Sequence, residues 1–378
     1  MKRLTPTTQN YAWGSRTLLA TLRGEEPSAE PEAELWYGAH PDAPSILAGG
    51  SSLLEQIESD PVARLGTALV DRFGNHLPFL LKLLAADSPL SIQAHPTMEQ
   101  AVEGFAREDA AGIDRQAPNR CFRDPRHKPE LIVAVTAFEA MIGFRPIDRT
   151  ALFLELLGAS ELASVLAAHG PRNAVAWLLS NRDRDASIVQ ANVSQITAAA
   201  PQLADSEFSA EADLLTRLSS KYPGDPGVAV AALLNRVMLE PGEGLYLDAG
   251  TLHAYVGGLG IELMANSNNV LRGGLTPKHI DVQNLLQVLR PSVGTPEVLR
   301  RAPDNSYDVP VEEFGLQLIQ TGFDVEGPAI VLSITGQVTA RSGDTVLCLD
   351  PTQAAWVDAG ESVFVESTGT GAVAKANL

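Results

Sequence analysis

Apolar residues along this chain change their spacing twice. Up to about residue 147 they come in short runs of strand type, broken by glycine and proline; Leu131-Ile132-Val133-Ala134-Val135 is a continuous one that follows Pro129-Glu130. Two helical stretches interrupt these runs. Leu53, Leu54, Ile57, Val62, Leu65 and Leu69 recur at helical spacing behind Ser52, a capping residue, and predict helix within 51–76; Glu99–Phe105 predicts another. From Ile147 the period lengthens: Leu152, Leu156, Leu162, Val165 and Leu166 open a helical pattern that continues through Val228–Met238. After Met238 the strand pattern returns and runs to about Gly274, with a short amphipathic helix predicted around Ile280–Leu289. From Asp308 alternation resumes in Leu316-Gln317-Leu318-Ile319, Ile330–Ile334 and Ser362–Val365, as in a small antiparallel sandwich or barrel. The pattern therefore predicts a mainly β protein with a helical insert. Residues 1–147 and 239–300 form one β domain, 148–238 an all-α domain, and 301–378 a C-terminal β domain.

Composition narrows the partners. A chain of 378 residues has room for two or three domains and a large core. Its formal charge of −18 argues against nucleic acid or an anionic membrane surface. No run of 18 apolar residues is present, so no bilayer span is expected. Met1-Lys2-Arg3-Leu4-Thr5-Pro6 lacks the apolar core of a signal peptide, and two cysteines, Cys121 and Cys348, make no disulfide framework. A cytoplasmic protein is expected.

The candidate chemistry lies in Ser91-Ile92-Gln93-Ala94-His95-Pro96 and Arg126-His127-Lys128-Pro129-Glu130. On a strand, Gln93 and His95 point from one face while Ile92 and Ala94 point into packing; Pro96 ends the strand. Glu130 sits at the mouth of the next apolar run. An amide, an imidazole and a carboxylate form a mixed N/O set suited to zinc or a similar divalent ion at an open catalytic site. A satisfied polar pair on a sheet is the alternative reading of the same residues.

A further stretch, Gly250-Thr251-Leu252-His253-Ala254-Tyr255, follows a turn and a strand in Pro241–Ala249. Taken in order, the Q-x-H, H-K-P-E and G-T-L-H-A-Y segments resemble the type I mannose-6-phosphate isomerases, a zinc-dependent family of cupin-like fold. Supporting segments are Gln9–Gly14, Glu34–Pro41, Pro78–Lys82, Ala265–Asn269 and Leu271–Lys278, so the likeness spans roughly residues 9–290. Tyr37 departs from the pattern, where the family often has methionine, and touches packing only.

The resemblance implies cupin-like (jelly-roll) β domains plus the all-α domain. It implies one Zn2+ per chain, held by Gln93, His95, Glu130 and His253, and proton transfer between C1 and C2 of an aldose–ketose pair through a cis-enediolate. Glu130 alone among the four ligands is an anion, so the ion keeps net positive charge for polarising the sugar oxygens. Arg272, in a glycine-flanked turn, is implied at the developing charge, and Lys82, Ser91 and Lys278 at the phosphate, with Trp13 as a wall. Ser91 lies two residues before Gln93 and shares its face. Three of the six lysines, Lys82, Lys128 and Lys278, fall inside the matching segments. Glu262, opposite in face to Ile261 and Leu263, is the expected general base; Lys128 and then His127 are its rivals. His40, His76 and His279 are read as structural, and His169, beside a glycine, as a surface or helix-end histidine. The partner is a small phosphosugar and the chain is expected as a monomer. An isomerase of another phosphosugar and a non-catalytic cupin-like sugar-binding protein are the competing functions; a fused nucleotidyltransferase is disfavoured because no glycine-rich phosphate loop remains outside the motifs.

Overall fold

One strand, His253–Ala265, organises the β structure that carries these residues. The computed structural model describes residues 1–180 and 186–378. The first part of the strand pairs with Ile92–Ala94 and Phe138–Phe144, and the second with Phe79–Ala86 and Glu130–Ala134. Between them the register slips at Tyr255/Gly257, and Gly258 takes φ +118°. A Cβ there would lie 2.5 Å from the Ala137 carbonyl oxygen, so only glycine lets the strand bend from one leaf of a sandwich into the other. The ten strands so connected form two leaves. Leu247, Glu130, Met264 and Leu80 align across one leaf, and Ile132, Glu262, Lys82 and Trp36 across its next row.

Strand alternation gives each leaf two different faces. Outward from the first leaf point Leu81, Leu83, Leu131, Val133, Ile261 and Leu263, which share a core with Leu316, Ile330 and Trp356 of the C-terminal lobe. Outward from the second point Ile92, Ala94, Leu252, Ala254 and Leu271, which pack against the helical lobe. A fully buried leucine or isoleucine contributes about 1.5–3 kcal/mol, so both outer faces anchor the sandwich firmly.

Helix boundaries follow local signals. The stretch 51–76 is two helices, Leu53–Ser59 and Pro61–Phe73. Ser52 makes a capping box with Glu55, and Asp60 caps the second helix, whose first residue is Pro61. Met98–Ala110 begins at a second capping box, Thr97 with Gln100. The helical lobe runs from Ile147–Leu156 through Ser160–Ser180, Ala186–Ala199 and Ser209–Lys221 to Gly227–Ala231, and the second helix kinks at Gly170-Pro171.

Two boundaries differ from the sequence reading. Helix ends at Ala231, and Leu234–Leu239, of which all but the last residue fall in the expected 148–238 all-α domain, is a strand paired with Phe138–Phe144. Its apolar residues continue the preceding helical run, and its strand partner is remote in sequence. Lys2–Thr5 and Ile46–Leu47, expected with the catalytic β domain, extend the six-stranded sheet of the C-terminal lobe, where Lys2 pairs with Trp356 and Leu4 with Ala354. A four-stranded sheet closes that lobe. The mainly β class with a helical insert is what the structure has.

Candidate active site

The Ile92–Ala94 strand lies between His253 on one side and Leu271–Gly274 on the other. Gln93 stands directly opposite His253 and opposite Arg272, so the three side chains share a face. His95 follows the strand and is 2% exposed; Glu130 opens its own strand and is 1% exposed. The donor atoms of His95, Glu130 and His253 lie within 4.8 Å of one another. His95 Nε2 is 3.3 Å from Glu130 Oε1, and His253 Nε2 is 3.4 Å from Glu130 Oε2.

Backbone carbonyls fix how these rings present their lone pairs. His95 Nδ1 donates to the Asn269 carbonyl at 2.7 Å and His253 Nδ1 to the Thr251 carbonyl at 2.9 Å. A carbonyl can only accept, so each ring carries its proton on Nδ1 and turns a bare Nε2 inward. Both Nε2 atoms and Glu130 Oε2 are buried without a hydrogen-bond partner among the described residues. Orphaned buried acceptors are costly unless something electrophilic serves them, and a divalent cation serves all three. Burial, and then the Lys128 charge, lower the His95 pKa to about 4, so the ring is neutral. Burial pushes the Glu130 carboxyl up, but the Lys128 ammonium at 2.9 Å outweighs it and holds it well below its usual range. The donor set fits zinc, with Gln93 in line to complete it.

A buried charge network adjoins this set. Lys82 Nζ lies 2.8 Å from Glu262 Oε2 and 3.4 Å from Glu34 Oε1, over the Trp36 ring. Burial opposes its charge, yet the two carboxylates raise its pKa overall, so it stays an ammonium. Burial raises the Glu262 pKa, with Lys82 pulling the other way and Glu130 and Glu34 adding to the rise. Burial, and then Glu262, push the pKa of the buried Tyr255 hydroxyl well up.

Glu130 and the adjoining charge network open into one cavity of about 970 Å³. Trp13, Lys82, Ser91, Gln93, Lys128, Glu130, Glu262, Arg272 and Lys278 all line it. Tyr11 stacks on Trp13 at 5.7 Å at its rim. Arg123, Arg272 and Lys278 line it with no carboxylate partner among the described residues. Burial, and then Arg123, lower the Arg272 pKa; burial, Arg272 and Arg123 lower that of Lys278. Like charges gathered this way suit an anion.

The sequence-predicted residues thus converge, with two differences in role. Lys82, expected at the phosphate, is already neutralised by Glu34 and Glu262. His127 is hydrogen-bonded to Glu313 at 2.6 Å and does not line the cavity. His40 is buried edge-on to Trp36, and burial lowers its pKa to about 4. Sequence reasoning missed Arg123, Tyr255, Glu34 and the carbonyls of Asn269 and Thr251. Tyr255 carried a usable signal, being two residues from His253 on the same face; a carbonyl carries none.

Comparison with known proteins follows the same lines. A sequence model described as type I phosphomannose isomerase, catalytic domain, matches residues 1–147. The chain is 38% identical to the mannose-6-phosphate isomerase of Escherichia coli (strain K12), covering 96% of each. It is 32% identical to mannose-6-phosphate isomerase 2 of Arabidopsis thaliana, covering 97% of this chain and 90% of that one. The crystal structure of the Salmonella typhimurium mannose 6-phosphate isomerase bound to substrate (f6p) and zinc covers 100% of both chains, with a TM-score of 0.90 at 35% identity.

Proposed function

The chain belongs to the type I phosphomannose isomerase family, and from that premise we propose that it interconverts D-mannose 6-phosphate and D-fructose 6-phosphate. The fold is cupin-like. One observation carries the reading: Glu130, on which the bare donors of His95 and His253 converge, lines the same cavity as Arg123, Arg272 and Lys278, cations with no carboxylate partner among the described residues. A hexose phosphate presents the matching pair of ends, hydroxyl and carbonyl oxygens at one and a dianion at the other.

Zinc, held by Gln93, His95, Glu130 and His253, supplies a Lewis acid for the sugar oxygens. The chain's own residues do the rest. Arg272, opposite Gln93 in the strand register, stabilises negative charge developing on those oxygens as a cis-enediolate forms. Glu262 takes the proton from C2 and returns it to C1, because its carboxylate is buried, raised in pKa and exposed to the cavity. Lys82 positions Glu262. Lys128, on Glu130, adds positive charge beside the reacting carbons. Ser91 and Lys278 hold the phosphate and Trp13 forms a wall of the sugar site. The reading keeps a monomer of mannose metabolism in the cytoplasm, a compartment in keeping with two unpaired cysteines. No described helix is long and apolar enough to cross a membrane.

A coupled isomerase assay on purified protein tests this. Mannose 6-phosphate turnover should disappear on chelation and return with zinc, at one zinc per chain. Full turnover by demonstrably metal-free protein, or turnover confined to another phosphosugar, overturns it.

A further inference from the structure

We propose that Arg123 is a substrate-binding residue: its guanidinium holds the phosphate of the hexose phosphate together with Lys278. The proposal rests on the isomerase reading above and adds a residue to it.

Charge bookkeeping in the cavity leads to Arg123 by elimination. A phosphate monoester carries about −1.5 to −2 at neutral pH and calls for more than one cation. Lys82 is held between Glu262 and Glu34, and Lys128 lies 2.9 Å from Glu130. Arg120 is tied to Glu108 and Asp109 at 2.9 and 2.7 Å. Lys221, at the end of its helix, is not among the charges that act on Arg272 and Lys278. Arg272 is committed by register to the Gln93 end. Arg123 and Lys278 remain. Neither side chain has a carboxylate partner among the described residues, and Arg123 is half-buried.

The backbone around Arg123 is fixed independently of its side chain. Its N–H donates to Asn269 Oδ1 at 2.7 Å, and Asp124 N–H donates to the same oxygen at 3.2 Å. Asn269 Nδ2 donates in turn to the carbonyls of Asp124 and Arg126 at 2.7 and 2.8 Å. Asn269 is fully buried, and its own carbonyl accepts from His95. One residue therefore clamps the Arg123 loop to a metal ligand, which sets the separation between the two ends of the substrate. A guanidinium presented from so fixed a backbone can bind two phosphate oxygens at once, and it loses little freedom in doing so. The lowered pKa values of Lys278 and Arg272 have Arg123 among their causes, after burial, which agrees with three cations facing one space.

The test uses Arg123→Gln and Arg123→Lys in the zinc-loaded full chain. The structural hydrogen bond belongs to the backbone N–H, so both variants should fold and keep their zinc. Arg123→Gln should raise KM for mannose 6-phosphate on the order of tenfold, the scale of one charge-assisted contact, with kcat little changed. Binding of inorganic phosphate, followed by calorimetry, should weaken by a similar factor, and Arg123→Lys should recover part of both. Unchanged KM and unchanged phosphate binding in Arg123→Gln overturn the proposal. Loss of zinc or of kcat instead assigns Arg123 to the loop's structure and overturns it too. If the wild type fails to turn over mannose 6-phosphate, the isomerase reading falls, while phosphate binding to wild type and variant still decides the role of Arg123.

Discussion

The two β lobes are built alike and filled oppositely. Between the sheets of the C-terminal lobe lie Val325, Ala329, Val331, Val338, Val357, Val363, Val365 and Val373, a dry interior. The corresponding space in the catalytic lobe holds Lys82, Glu130, Glu262 and Gln93 and opens to solvent. A sandwich normally draws its stability from the space between its leaves. The catalytic lobe draws much of its own from outside, one leaf packed on the C-terminal lobe and the other on the helical lobe. Its companions supply much of the apolar burial, so that part of its interior, beside the cluster of Ile132, Phe138, Leu247 and Tyr255, is left free for charge. Architecture alone says nothing of this, because function lies in the side chains it presents.

Three substitutions bear on that contrast, from the largest expected effect to the smallest. Glu262→Gln, in the charged interior, should cut turnover by a factor of about a hundred or more while zinc and substrate still bind. Exchange of the sugar C2 proton with deuterated solvent should stop with it. A Glu262→Gln enzyme that stays active, beside a Lys128→Met enzyme that loses turnover with zinc bound, would move the base to Lys128. Val365→Ala, in the dry interior, should cost about 2 kcal/mol in denaturant unfolding and leave kcat/KM and zinc content alone. An activity loss in the folded Val365→Ala protein would break the contrast between the lobes.

Glu313→Gln probes the contact between catalytic loop and C-terminal segment and should have the smallest effect. Burial raises the Glu313 pKa, but the hydrogen bond and charge of His127 outweigh it and hold the carboxyl below its ordinary 4.5. A depressed carboxyl stabilises the folded state above its ordinary pKa and loses that contribution as pH falls through the folded value. Wild type should therefore exceed Glu313→Gln in stability by under about 1 kcal/mol near pH 6, with the gap closing below about pH 4. A gap that widens in acid would contradict the pairing.

What was legible in the sequence was local. The pleat that turns Ile92 and Ala94 into the helical core also turns Gln93 to the cavity, and two-residue spacing suffices to see it. The expected place of Glu130 at the mouth of an apolar run needed only Pro129 and the residues after it. The position of Lys82 was legible but its company was not: its partners Glu34 and Glu262 lie 48 and 180 residues away, brought beside it by sheet register. Without that register a lysine in an acidic protein reads as a free cation. Arg123 was hidden for the opposite reason, as one of 22 arginines, set in a polar loop with no periodicity. The strand at Leu234–Leu239 escaped because its apolar run adjoins a helix.

The seam at Lys2–Thr5 has a consequence in time. Lys2 finds its neighbour only when Trp356 has been made. At roughly 5–20 residues per second, translation leaves that strand, whose other edge meets Ile46–Leu47 early, waiting about 20 to 70 s for its C-terminal mate. Throughout that wait Leu4, destined for a fully buried position, has no finished lobe to enter. The nascent chain thus carries an open hem that far later residues sew shut, and the lobe backing the catalytic sheet can be completed only once Trp356 has been made.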